Sequence, residues 1–131
     1  LKLMANELGI SKFIIFLGQV EKESLRELYS QCKIFVFTSP FENFAATLIE
    51  AMSCSAPIIT TNTTAMPESC GEAALYFSPD SEVELSNCIM TYLNDEDVRL
   101  KYKSMALLKS KSYPDYSCVN IETNRLLTSL I

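Results

Sequence analysis

The stretch SPFENFAATLIEAMSCSAPIITT, Ser39 to Thr61, decides how the rest of this chain is read. The run just before it, Ile34 to Thr38, is apolar and rich in strand formers. Pro40 and Asn43 mark a turn, Ala46 to Cys54 is a run of good helix formers, and Pro57 to Thr61 returns to strand composition. Strand, turn, helix and strand in that order make one α/β unit. Its turn lies at the carboxyl end of a strand, where open α/β sheets bind their ligands. Glu42 falls on that turn, and Glu50 lies one to two helical turns into the helix. The N–H groups around Ala45, Ala46 and Thr47 are expected to lack helical partners and so can receive a phosphate. An ionised carboxylate accepts hydrogen bonds from two hydroxyls, so Glu42 and Glu50 suit the vicinal diols of ribose or a hexose.

The same alternation extends outward. Residues 1–8 read as the tail of a helix stopped at Gly9, followed by a strand at 13–17. From Ser24 to Cys32, the apolar Leu25, Leu28, Tyr29 and Cys32 recur at three- and four-residue spacings, with Arg26, Glu27 and Gln31 on the other face. Ile34 to Phe37 is the continuous apolar run of a strand covered on both faces. Thr60 to Glu68 is a polar loop at the same edge as Glu42. Its hydroxyls serve either a sugar or the loop's own backbone, and a short helix is expected to begin near Glu68. Ala74 to Phe77 is the last strand. Ser81 with Glu84 forms a capping-box pattern for a helix through Asn94. Asp95, Glu96 and Asp97 open a second helix that closes among Lys101, Lys103, Lys109 and Lys111, as the helix dipole favours. Pro114 and Asp115 start a final helix carrying Cys118, Ile121, Leu126, Leu127 and Leu130.

Composition narrows the function classes. The chain has 131 residues, 48% of them hydrophobic, enough for one domain with a real core and too few for two. Eleven basic and sixteen acidic side chains give a net charge of -5 with no histidine, so no nucleic-acid partner is expected. Any proton transfer on this chain falls to a carboxylate. Five cysteines, odd in number and never in Cys-x-x-Cys spacing, read as free thiols rather than a disulfide framework or zinc site. With no apolar run of about 18 residues and no signal-peptide pattern, a reducing, cytoplasmic setting is expected.

Read with its flanks, the Ser39–Thr61 segment resembles the donor-binding half of glycosyltransferase family 4, retaining enzymes of the GT-B fold. The pattern of Glu, seven residues, Glu, Ala-Met and a small-residue turn into Pro appears as Glu42, Glu50, Ala51, Met52, Ser53, Cys54, Ser55, Ala56 and Pro57. FLGQV at 16–20, LRELYSQCKIFVFTS at 25–39, Pro67-Glu68 and the stretch from Gly71 to Phe77 follow in family order. The resemblance implies an α/β fold, a Rossmann-like parallel sheet flanked by helices, forming the carboxy-terminal half of a GT-B fold. It implies one donor-binding domain over residues 1–131. The amino-terminal acceptor domain, and this domain's own first strand and helix with their basic pair, would lie outside it. It implies transfer of a hexose from a nucleoside-diphosphate sugar to a glycan or lipid acceptor, without metal or cofactor. Any membrane association would come through the missing domain only.

By the same resemblance Glu42 faces the transferred sugar and is the catalytic candidate, and Glu50 takes the ribose. Val20, Asn43, Phe44, Ala45, Ala46 and Thr47 complete the donor site. The isolated chain is expected to be inactive. Asn43, Ala45 and Ser55 stand where family members usually have glycine, and a Cβ costs about 1 kcal/mol if the backbone there has positive φ. Two rival functions keep the same features: a GT-B sugar-nucleotide epimerase, which would need acid and base groups at the sugar, and a non-catalytic relic or binding module.

Overall fold

The computed structural model of the protein describes residues 1–114. Three parallel strands, β1 (Phe35–Phe37), β2 (Ile58–Thr61) and β3 (Ala74–Phe77), form a sheet in that order. Val36 lies opposite Ile59, and Ile59 opposite Leu75. The helices are α1 (Lys2–Glu7), α2 (Lys22–Gln31), α3 (Ala46–Ser53), α4 (Ala65–Cys70), α5 (Glu82–Asn94) and α6 (Glu96–Ser110).

Alternation along the central strand divides the core in two. Ile58 faces the larger cluster with Leu48 and Met52 of α3, Met66 and Cys70 of α4, and Ala106 of α6. Its neighbour Ile59 points to the opposite face, against Phe77 and Tyr92. Helix α6 serves both: Val98 and Tyr102 pack on the second cluster, Met105 and Ala106 on the first. Every residue of β2 is buried, which explains why its sequence is an unbroken apolar and threonine run rather than an alternation. Truncating a fully buried side chain such as Leu48 to alanine would cost about 2–5 kcal/mol. The Tyr92 hydroxyl, also buried, donates to the Ile58 carbonyl at 3.1 Å and so enters the core satisfied.

Caps fix the helix boundaries. The Ser81 hydroxyl accepts from the Glu84 N–H at 3.2 Å, as its capping-box pattern predicts, and Asp95 caps the next helix by accepting from the Val98 N–H at 2.9 Å. The Glu84 carboxylate, however, takes the N–H of Ser78 at 2.7 Å, and this hydrogen bond holds its pKa below the usual carboxylate range. Helix α3 ends with the N–H groups of Ser55 and Ala56 donating to Met52 and Ala51, a Schellman closure. Ser55 therefore adopts φ +57, the left-handed conformation that glycine takes at least cost.

Two expectations need correction. The strand expected at 13–17 does not form: Ser11–Phe13 is a 3-10 turn, and no residue from 14 to 17 pairs with a strand among the described residues. Ile15 is 83% exposed there. An apolar run signals a wish to be buried, but a strand also needs a ladder partner, and none adjoins it here. Second, the helix expected near Glu68 begins at Ala65, because Pro67 lies in the first turn, where its missing N–H costs no hydrogen bond. At Ala45, where a Cβ is costly only with positive φ, φ is -85 and the side chain carries no left-handed strain. The expected final helix from Asp115 lies outside the described residues.

Candidate functional site

The site is built from two loops that leave the carboxyl ends of neighbouring strands. The loop after β1, Ser39 to Ala45, is fastened to the loop after β2 by three consecutive contacts. Thr61 Oγ1 donates to the Ser39 carbonyl at 2.8 Å, Thr63 Oγ1 donates to the Pro40 carbonyl at 2.9 Å, and the Glu42 N–H donates to Thr64 Oγ1 at 3.1 Å. These hydroxyls thus serve backbone groups of the loop after β1 rather than of their own loop. Thr60 differs: it is buried, and its hydroxyl has no partner among the described residues.

Between these fastenings and α3 the chain makes a tight turn. The Ala46 N–H donates to the Phe44 carbonyl at 3.0 Å, and Ala45 has φ -85 and ψ 59, which together define an inverse γ-turn. The helix-start donors are accordingly fewer than the sequence predicts: Ala46 is engaged, while the N–H groups of Ala45 and Thr47 have no acceptor among the described residues. Ala45 is buried, Ala46 and Thr47 are half-buried, and Asn43 and Phe44 are exposed. Glu42 is half-buried and its carboxylate has no hydrogen-bond or ion-pair partner among the described residues.

Glu50 projects from α3 into an open cleft of about 460 Å³ between α2, α3 and the end of α6, a volume in the range of small-molecule sites. Lys22, Arg26 and Tyr29 of α2, and Ser53 of α3, line it with Glu50. Lys111 and Tyr113 line the far end. Burial, and secondly the nearby Glu50 charge, push the Tyr29 hydroxyl above its ordinary pKa, so it stays protonated as a donor. The Glu50 carboxylate likewise has no hydrogen-bond or ion-pair partner among the described residues. Glu42, Asn43, Phe44 and Val20 do not line this cleft. Val20 is half-buried in the segment leading into α2. Among the described residues no cluster of three or more His, Cys, Asp or Glu could hold a metal, and no helix is long and apolar enough to cross a membrane.

Sequence reasoning missed that Lys22, Arg26 and Lys111 line one cleft with Glu50. Arg26 lies on the polar side of an amphipathic stripe, and that pattern shows which face avoids the core without showing which helix adjoins it. The interloop fastening was also missed, because its partners are about 22 residues apart.

Residues 1–119 match the family described as glycosyl transferases group 1. The chain belongs to that family. It is 32% identical over 112 residues to the O-antigen chain mannosyltransferase B of Escherichia coli, covering 86% of this chain and 29% of the relative. To an N-acetylgalactosaminyltransferase of Campylobacter jejuni that acts on a diphospho-undecaprenol acceptor it is 28% identical over 113 residues, 84% of this chain and 30% of that protein. The chain therefore spans about a third or less of these curated relatives. Among solved structures, the sucrose-phosphate synthase of Thermosynechococcus elongatus superposes with a TM-score of 0.87 at 22% identity, over 98% of this chain and 33% of that one. Anabaena HepE, solved with UDP and glucose, superposes with a TM-score of 0.84 at 23% identity, over 97% and 35%. The fold is a Rossmann-like α/β sheet of the GT-B class, of the carboxy-terminal domain type.

Proposed function

We propose that this chain is the donor-binding part of a longer, retaining glycosyltransferase of family 4, which moves a hexose from a nucleoside-diphosphate sugar to a glycan or lipid acceptor. The observation that carries this reading is a pair of uncommitted carboxylates, Glu42 and Glu50, on one loop-and-helix unit whose start offers the free N–H groups of Ala45 and Thr47. Two N–H groups at a helix start favour a diphosphate, and a free carboxylate favours a diol. In this reading Glu50 accepts from the ribose hydroxyls inside the cleft. Glu42, held at the sheet edge, accepts from hydroxyls of the transferred sugar, with Val20, Asn43, Phe44 and Ala46 around the donor.

The chemistry is electrostatic. Charge builds on the departing diphosphate, and preoriented N–H groups stabilise it without needing to reorganise. In the same reading the remaining positive charge is a basic pair on this domain's own first strand and helix, outside this chain, while the acceptor site and any membrane association belong to a second domain. The four described cysteines are free, in keeping with a cytoplasmic setting. The test is to purify the complete protein and follow release of free nucleoside diphosphate from UDP- and GDP-hexoses, with and without a glycan or polyprenyl-diphosphate acceptor. Acceptor-dependent release supports the reading, and no release from any of these donors refutes it.

A further inference from the structure

Thr64 is held in a backbone conformation that its side chain resists. The Met66 N–H donates to the Thr63 carbonyl at 3.2 Å, closing a turn in which Thr64 has φ 47 and ψ -124. These are the dihedrals of the first central residue of a type II′ turn, a position dominated by glycine. A β-branched residue with positive φ is a genuine outlier. Of the described non-glycine residues only Ser55 and Thr64 have positive φ, and Ser55 is explained by the closure of α3. Thr64 is exposed, so core packing does not force it.

What threonine supplies here and glycine would not is a hydroxyl. That hydroxyl accepts the Glu42 N–H at 3.1 Å and donates to the Sδ of buried Met66 at 3.7 Å. Both of its roles are thereby fixed, and the second ties it to the core. The adjoining Thr63 grips Pro40, two residues before Glu42. Strained residues of this kind persist where surrounding contacts over-determine them, and they cluster at functional sites.

We propose that Thr64 is a positioning residue: it tolerates backbone strain in order to hold the Glu42 backbone, and hence the Glu42 carboxylate, at the transferred sugar. The inference rests on the reading of Glu42 as a donor-sugar contact. It makes the loops after β1 and β2 one catalytic unit, with Thr64 acting through Glu42 and without touching the substrate.

The test uses the complete protein carrying Thr64→Gly, Thr64→Ser or Glu42→Ala. It measures melting temperature, kcat with the nucleoside-diphosphate hexose that the native protein consumes, and affinity for the matching free diphosphate. Thr64→Gly should melt within about 4 °C of the native protein, since relief of strain offsets the hydrogen bonds lost with the hydroxyl. Its kcat should nevertheless fall at least tenfold, with diphosphate affinity within about twofold. Thr64→Ser, which keeps the hydroxyl, should restore kcat to within about threefold of native. Native kcat in Thr64→Gly beside a crippled Glu42→Ala would overturn the positioning role alone. A parallel loss of melting temperature and diphosphate affinity in Thr64→Gly would also overturn it, by marking a structural role. Native kcat in Glu42→Ala would remove Glu42 from the site, and this role for Thr64 with it.

Discussion

The buried hydroxyl of Thr61 donates to the Ser39 carbonyl at 2.8 Å, joining the last residue of β2 to the loop that follows β1. This bond is one of the three that set the distance between the two loops of the site. Thr61→Val keeps the shape and removes the donor, leaving a partly buried carbonyl without its partner. It should cost about 1–3 kcal/mol. Urea denaturation of the complete protein measures the loss, and an unchanged midpoint would show that water replaces the bond.

Glycine should have opposite effects at two neighbouring positions. Ser55 has φ +57 at the end of α3, so Ser55→Gly relieves a Cβ clash and should stabilise by about 0.5–1 kcal/mol. Ala45, buried at φ -85, gains nothing from glycine and loses a packed methyl, so Ala45→Gly should destabilise by about 1 kcal/mol. Thermal midpoints of the two variants decide the matter, and shifts of equal sign would contradict the backbone assignment.

Alkaline stability should depend on Cys70. Burial pushes this thiol from 9.0 up to about 12, partly offset by the Lys109 charge. The unfolded chain ionises near pH 9 while the folded chain keeps its proton. The unfolded state therefore binds fewer protons in that window, and stability falls as pH rises from about 9 to 12. The slope reaches at most about 1.4 kcal/mol per pH unit for one group. Burial raises the Tyr92 and Tyr76 hydroxyls in the same direction. Cys70→Ala should flatten the fall in urea midpoint between pH 8 and 11, and an unchanged slope would assign the effect to the tyrosines.

How much of this was legible in the sequence varied with the range of the interaction. The three strands and helices α3, α5 and α6 follow from patterns and caps within a few residues of one another, as Ser81 and Asp95 show. The glycine-like turn at Ser55 is signalled by the family resemblance, in which glycine usually stands there. The failed strand at 13–17 depended on a pairing partner, which no local pattern reveals. The site divides similarly. Glu42 and Glu50 were visible as a spacing, whereas the Thr61 to Thr64 fastening and the basic lining around Glu50 come from contacts between distant segments.

The 131-residue chain alone should bind nucleoside diphosphate weakly and transfer no sugar. The acceptor site and the basic pair facing the diphosphate would come from elsewhere in the parent protein. Comparing turnover of this chain with that of the complete protein checks the point. Comparable rates would place the acceptor site within these residues.

The most direct test of the central claim is calorimetric titration of native, Glu42→Ala and Glu50→Ala forms of the complete protein, each with the free nucleoside diphosphate and with the intact sugar nucleotide. Glu50→Ala should weaken both ligands alike, by about 1.5–3 kcal/mol, because the ribose is common to both. Glu42→Ala should weaken the intact sugar nucleotide and leave the free diphosphate nearly unchanged. Native affinity for both ligands in both folded variants would contradict the account.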